Sequence, residues 1–170
     1  MTKEKTTMTA ASDYLENKLL DHVLRQTAGN FSAPGTVFVA LFTTNGSSQE
    51  TALEAALEAN TTGTDASTKF GFYEVNAGSY ARQSITFGNA GASTTGTISS
   101  NQTVSFPVAT ANYQSPGSTG NIVSHIAIMD NNSGTGLDNV LFFGQLTTSK
   151  TVSSGDQFTI SSGNLSVSLA

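Results

Sequence analysis

The sequence predicts a mainly β protein: an antiparallel β-sandwich with one N-terminal helix and a short inserted helix. Three observations lead there. From Lys69 onward, short β-rich runs alternate with clusters of Gly, Asn, Ser and Pro, the spacing of sandwich strands. No segment of helical length follows residue 60, which argues against βαβ repeats. Near the C-terminus, Leu165, Val167 and Leu169 alternate with Ser166 and Ser168, the period of a half-buried strand. The 170 residues suit a single domain over 12–170, preceded by a flexible arm at Met1–Ala11.

The helix is expected over Asp13–Gln26. Ser12 is a good N-cap, Asp13 and Glu16 favour the positive end of the dipole, and Gly29 supplies a stop. Leu15, Leu19, Leu20, Val23 and Leu24 form one apolar stripe, so the helix should dock on something. Thr36–Thr43, dense in β-branched and aromatic residues after Pro34-Gly35, reads as a buried strand. Gln49–Ala59 is the inserted helix. Its Glu50, Glu54 and Glu58 share a face that reads as solvated rather than catalytic. Asn60–Thr68 is a loop. Strands follow at Tyr80–Phe87, Gln102–Val108, Asn121–Met129, Asn139–Leu146, Gln157–Ile160 and Asn164–Leu169. The expected core is Val37, Val39, Leu41, Ile85, Phe87, Val104, Phe106, Ile126, Ile128, Leu141, Phe143, Leu165 and Val167.

Ser, Thr, Asn and Gly make up 76 of the 170 residues, while charged residues are 11% and the net charge is −5. That balance argues against nucleic-acid binding, which needs a basic stripe to neutralise phosphates. No cysteine is present, so disulfides, thiolate nucleophiles and cysteine metal sites are excluded. No apolar run is long enough to span a bilayer, and the expectation is a soluble chain without an export signal. Charge is also unevenly placed: the 47 residues from Gln83 to Met129 contain no Asp, Glu, Lys or Arg. A surface of Thr, Ser and Asn suits packing against other subunits, because interface cores are depleted in charge.

The chemistry of individual residues points away from catalysis. His22 lies at the edge of the helical stripe and His125 in mid-strand. Ser124, His125 and Asp130 are close in sequence, but strand geometry should send Ser124 and His125 to opposite faces, and no G-x-S-x-G elbow exists. Asp130–Asp138 resembles the start of a calcium loop, with Asp130, Asn132 and Asp138 as oxygen ligands. An EF-hand, however, needs glycine and a bidentate acid where Thr135 and Leu141 stand, so a hairpin turn is the simpler reading. No catalytic, cofactor-binding or metal residues are therefore assigned.

Several segments in order carry a resemblance: DYLENKLLDHVLRQT (Asp13–Thr27), TVFVALFTT (Thr36–Thr44), GSYARQSITFG (Gly78–Gly88), TVSFPVATANY (Thr103–Tyr113), VSHIAIMDNNSGT (Val123–Thr135) and the stretch Asn139–Ala170. Together they resemble a family of small virion structural proteins of tailed bacteriophages, often labelled phage tail fibre proteins. GSYARQ and LTTSKTVSSGD are the most specific segments. The chain departs from the family pattern at Ser47–Asn76, where the inserted helix replaces a shorter Gly- and Pro-rich loop.

The resemblance implies a non-enzymatic virion component without cofactor, assembled in the bacterial cytoplasm. A capsid decoration (cement) protein suits the compact size; a small tail fibre, tail appendage or adaptor is the alternative. The expected partners are further copies of the chain, as a trimer, and other virion proteins such as the major capsid protein or tail components, with no nucleic acid and no membrane. The contact surface is expected on Gln83–Met129, with the arm as an additional tether.

Overall fold

A computed structural model describes residues 6–8, 10–25, 32–59, 73–90, 96–116, 122–132 and 139–169. In chain order the elements are β1 (Thr6–Met8), β2 (Ala10–Ala11), α1 (Asp13–Leu24), β3 (Val37–Thr43), α2 (Ser47–Glu58), β4 (Gln83–Ile85), β5 (Thr97–Ser99), β6 (Val104–Ser105), β7 (Ile122–Met129), β8 (Val140–Thr151), β9 (Thr159–Ile160) and β10 (Leu165–Ser168). The protein is mainly β, as expected. A five-stranded sheet runs β2-β8-β7-β3-β4, a three-stranded sheet runs β1-β10-β5, and β6 pairs with β9. The described ladders are antiparallel except β1 with β10.

The central strands explain the layering. In β3, Val39 and Leu41 join one core with Ile126 and Ile128 of β7, Leu141 of β8, and Leu165 and Val167 of β10. The intervening Ala40 and Phe42 join a second core with Ala127, Met129 and the α2 residues Leu53 and Leu57. Both faces of β3 and β7 are thus covered, one by the smaller sheets and one by α2. That is why these strands read as unbroken apolar runs rather than alternating ones. Helix α2 begins two residues earlier than expected, after Gly46 at φ 119°.

Ser12 caps α1: its Oγ accepts from the Leu15 N–H at 3.3 Å and donates to the Val140 carbonyl, fixing the helix against β8. The helix ends at Leu24, and the expected stop at Gly29 and the loop Asn60–Thr68 lie outside the described residues. Of the apolar stripe, Leu15 is buried and Leu19 packs on the core, whereas Leu20, Val23 and Leu24 stand 57%, 73% and 72% exposed. The helix docks by its first half alone.

Other expectations need correction. Where it is described, the expected flexible arm is paired: β1 lies on β10, β2 on β8 at Phe142 and Phe143, and Met8 is buried. The strand expected at Tyr80–Phe87 shrinks to Gln83–Ile85 behind a turn at Gly78-Ser79, and Gln102–Val108 shrinks to Val104–Ser105 before Pro107, which has no N–H to donate. Of the expected core, Val37 and Phe87 are half-buried and the rest are buried.

Candidate functional site

The two segments most specific in sequence, Gly78–Gln83 and Leu146–Asp156, both meet the irregular segment 107–114. The Thr110 N–H donates to the Gly78 carbonyl at 3.0 Å, and the Tyr113 N–H to the Val152 carbonyl at 3.0 Å. The Gly155 N–H donates to Ala109 at 2.7 Å, and the Ala109 N–H to Asp156 at 2.9 Å. Gly78 has φ +71°, and a Cβ there would sit 2.3 Å from the Ala111 carbonyl oxygen, so only glycine fits. Ser79 follows at φ 68°, with its Oγ 2.6 Å from Thr110 Oγ1.

Beyond that turn, Tyr80 stacks on Phe106 with ring centroids 5.8 Å apart. Its hydroxyl accepts from the Leu41 N–H at 3.0 Å and donates to Glu74 Oε1 at 2.9 Å. Burial, reinforced by the Glu74 carboxylate, pushes the Tyr80 hydroxyl well above the usual tyrosine range. Arg82 holds Glu74 through a fork, Nε to Oε1 at 2.7 Å and Nη2 to Oε2 at 2.6 Å, while Nη1 donates to the Asn131 carbonyl at 2.9 Å. This junction ties β3, the base of the β7–β8 turn and segment 107–114 into one unit. Its polar groups face one another and hold these elements together.

A second polar cluster corrects the expectation for Ser124 and His125. Their side chains meet, Ser124 Oγ lying 3.0 Å from His125 Nδ1. The reason is a β-bulge: His125 pairs with Phe42 and Val123 with Thr43, leaving Ser124 as the extra residue that breaks the period of two. His125 Nε2 reaches Glu54 Oε1 on α2 at 3.2 Å, and Ser124 Oγ lies 2.7 Å from Thr44 Oγ1, itself 3.4 Å from Glu50 Oε1. Hydroxyl, imidazole and carboxylate therefore stand in line beside an open cavity that Thr44, Gly46, Glu50, Ile122 and Ser149 help to line. Ser124 is nonetheless 1% exposed and held between Thr44 and His125, so its oxygen is engaged with the protein on both sides. The cluster works as a latch between α2 and β7.

The remaining candidates stay apart. His22 is exposed in the last turn of α1. The carboxylate of Asp130 accepts the Asn139 N–H at 2.6 Å and its Nδ2 at 2.7 Å, closing the β7–β8 hairpin as the turn reading expects. Asp138 lies outside the described residues. Among the described residues no group of three or more His, Asp or Glu side chains is placed to hold a metal ion. Sequence reasoning missed the Arg82–Glu74 fork and the burial of Tyr113; the available signals were the GSYARQ segment for Arg82 and the TVSFPVATANY segment for Tyr113.

The model of one protein family, described as "Podophage GP4 fiber I protein gp80", matches residues 10–168. The chain belongs to that family of tailed-phage structural proteins. No curated protein matches it.

Proposed function

We propose, from the membership of this chain in a podophage fibre family over residues 10–168, that it is a non-enzymatic structural component of a tailed-phage virion. Family membership is the observation that carries this reading. The two polar clusters support it, since each spends its charged and hydroxyl groups on tying elements together. Two positions on the particle fit. The description of the family as a podophage fibre protein favours a tail fibre or tail appendage. A compact β-domain with a 47-residue charge-free stretch suits a capsid decoration protein repeated over the shell, as a homotrimer on the major capsid protein. Copy number separates them: densitometry of purified virions should give hundreds of copies for a decoration protein and a few dozen or fewer for a tail part. Absence of the chain from purified particles would refute both.

A further inference from the structure

The turn that hands β3 to α2 contains Asn45-Gly46, and of the thirteen asparagines in the chain only Asn45 is followed by glycine. Both residues are exposed, and both help to line the open cavity beside the latch, about 560 Å³ in volume. Gly46 stands at φ +119°, and a Cβ built on it would meet nothing within 4 Å. Its carbonyl accepts from the Gln49 and Glu50 N–H groups, each at 3.1 Å, while among the described residues no acceptor is placed for its own N–H. On the other side of the same peptide, the Asn45 N–H donates to Gln49 Oε1 at 2.6 Å. The first turn of α2 is therefore tied to the backbone both before and after the Asn45–Gly46 bond.

We propose that Asn45 is a self-modifying site: it closes on Gly46 to a succinimide, which opens to isoaspartate and aspartate, and the isoaspartate form loosens α2 from the sheet. The inference goes beyond the virion reading and does not rest on it. In the first step the Gly46 nitrogen loses its proton and attacks the side-chain carbonyl carbon of Asn45. A new C–N bond closes the ring, and the side-chain nitrogen leaves as ammonia. Water then adds to one of the two ring carbonyls. Breaking the bond to the side-chain carbonyl gives aspartate; breaking the bond to the main-chain carbonyl gives isoaspartate. One water is consumed, one ammonia is released, and nothing is oxidised or reduced. The local structure suits both steps. No Cβ on Gly46 shields the attacking nitrogen, and the open cavity brings water to the pair. The peptide lies in a turn, outside any helix or ladder that would fix it, whereas Asn17 sits inside α1. Isoaspartate adds one carbon to the main chain between the Asn45 N–H and the Gly46 carbonyl. The bonds to Gln49 and Glu50 on either side of that point then no longer fit together.

The test ages the full chain at neutral and mildly alkaline pH and maps it by peptide mass spectrometry, with electron-transfer fragmentation to tell isoaspartate from aspartate. Acid at position 45 should accumulate at least about tenfold faster than at any other asparagine. The rate should rise with pH, because base removes the Gly46 proton, and isoaspartate should be among the products. Asn45→Gln, whose longer side chain disfavours ring closure, should stay unmodified at 45 without touching the strained backbone of Gly46. Amide exchange reads the consequence. In the aged wild type Ser47–Glu58 should exchange faster with β3 and β7 still protected, and aged Asn45→Gln should match the fresh protein. Asn45→Asp carries the new charge on an ordinary backbone, at the positive end of α2, and should not speed exchange there. Acid that forms no faster at 45 than elsewhere, or aspartate without isoaspartate, overturns the succinimide. Exchange in α2 equal in aged and fresh wild type, or fast exchange in Asn45→Asp, overturns the loosening by an added main-chain carbon.

Discussion

Two polar clusters border β3, and they differ in how far water can stand in for a lost partner. In the junction, Arg82 and Glu74 have side chains 3% and 15% exposed and meet in a bidentate fork. In the latch, His125 is 1% exposed but its partner Glu54 is 51% exposed on the outer side of α2. Removing one member of a buried pair strands the other in low dielectric, whereas a half-exposed carboxylate simply returns to solvent. The junction should therefore carry global stability, and the latch should govern only how α2 sits on the sheet.

The sharpest way to break the contrast is Arg82→Ala, which leaves Glu74 without its counter-ion and the Asn131 carbonyl without its donor. We expect a loss of about 3–5 kcal/mol in denaturant unfolding. A loss below about 1 kcal/mol would mean that the fork is no better than a surface pair. Gly78→Ala comes next. The positive φ alone costs about 1–3 kcal/mol for a residue with a Cβ, and the contact with Ala111 forces segment 107–114 to shift as well. Its melting temperature should fall clearly, and the mutant should unfold as a whole rather than lose α2 first.

What was legible in the sequence follows the same division. Strands β3 and β7 stood out because both of their faces are buried. β10 stood out by its alternation of apolar residues with serines, but the half-buried reading needs correction: Ser166 is buried along with Leu165 and Val167, and Leu169 is exposed. Helix α1 was legible from Ser12 and its stripe, yet the stripe could not tell that docking stops after Leu19. Strands β1, β2 and β5 are two or three residues long and are made by ladder partners rather than by any pattern of their own. The bulge at Ser124 leaves no trace in residue type, so the rule of alternating faces misplaced Ser124 and His125. Glu74 and Arg82 sit in irregular backbone eight residues apart, where no periodicity could pair them. The junction was visible only as a family-specific motif, and its chemistry was not.

Alkaline pH should address the junction without a mutation. The fold disfavours the ionised form of Tyr80 through burial and the nearby Glu74, so its folded pKa lies above the unfolded value near about 10. Below that value both states are protonated and stability is constant in this respect. As pH rises past it, the unfolded chain ionises first and stability falls until the folded hydroxyl also titrates. Tyr80→Phe should flatten this decline, leaving the smaller contributions of Tyr14, raised by burial and by Asp130, and of Tyr113, raised by burial. An alkaline slope unchanged in Tyr80→Phe would place the sensitive group elsewhere.

The smallest effect is expected at the latch. Glu54→Gln keeps a side chain able to accept from His125 Nε2 and removes only the charge, so global unfolding should change by less than about 1 kcal/mol. His125→Ala goes further. It removes the ring that joins Ser124 to Glu54, yet Leu53 and Leu57 still hold α2 in its apolar core. The consequence should appear as local opening, seen as faster amide exchange along Ser47–Glu58 with β3 and β7 still protected. Exchange that accelerates equally in α2 and in β7 would mean that the latch shares the fate of the junction. The distinction between the two clusters would then fail, because a partner 51% exposed would be acting as if water could not replace it.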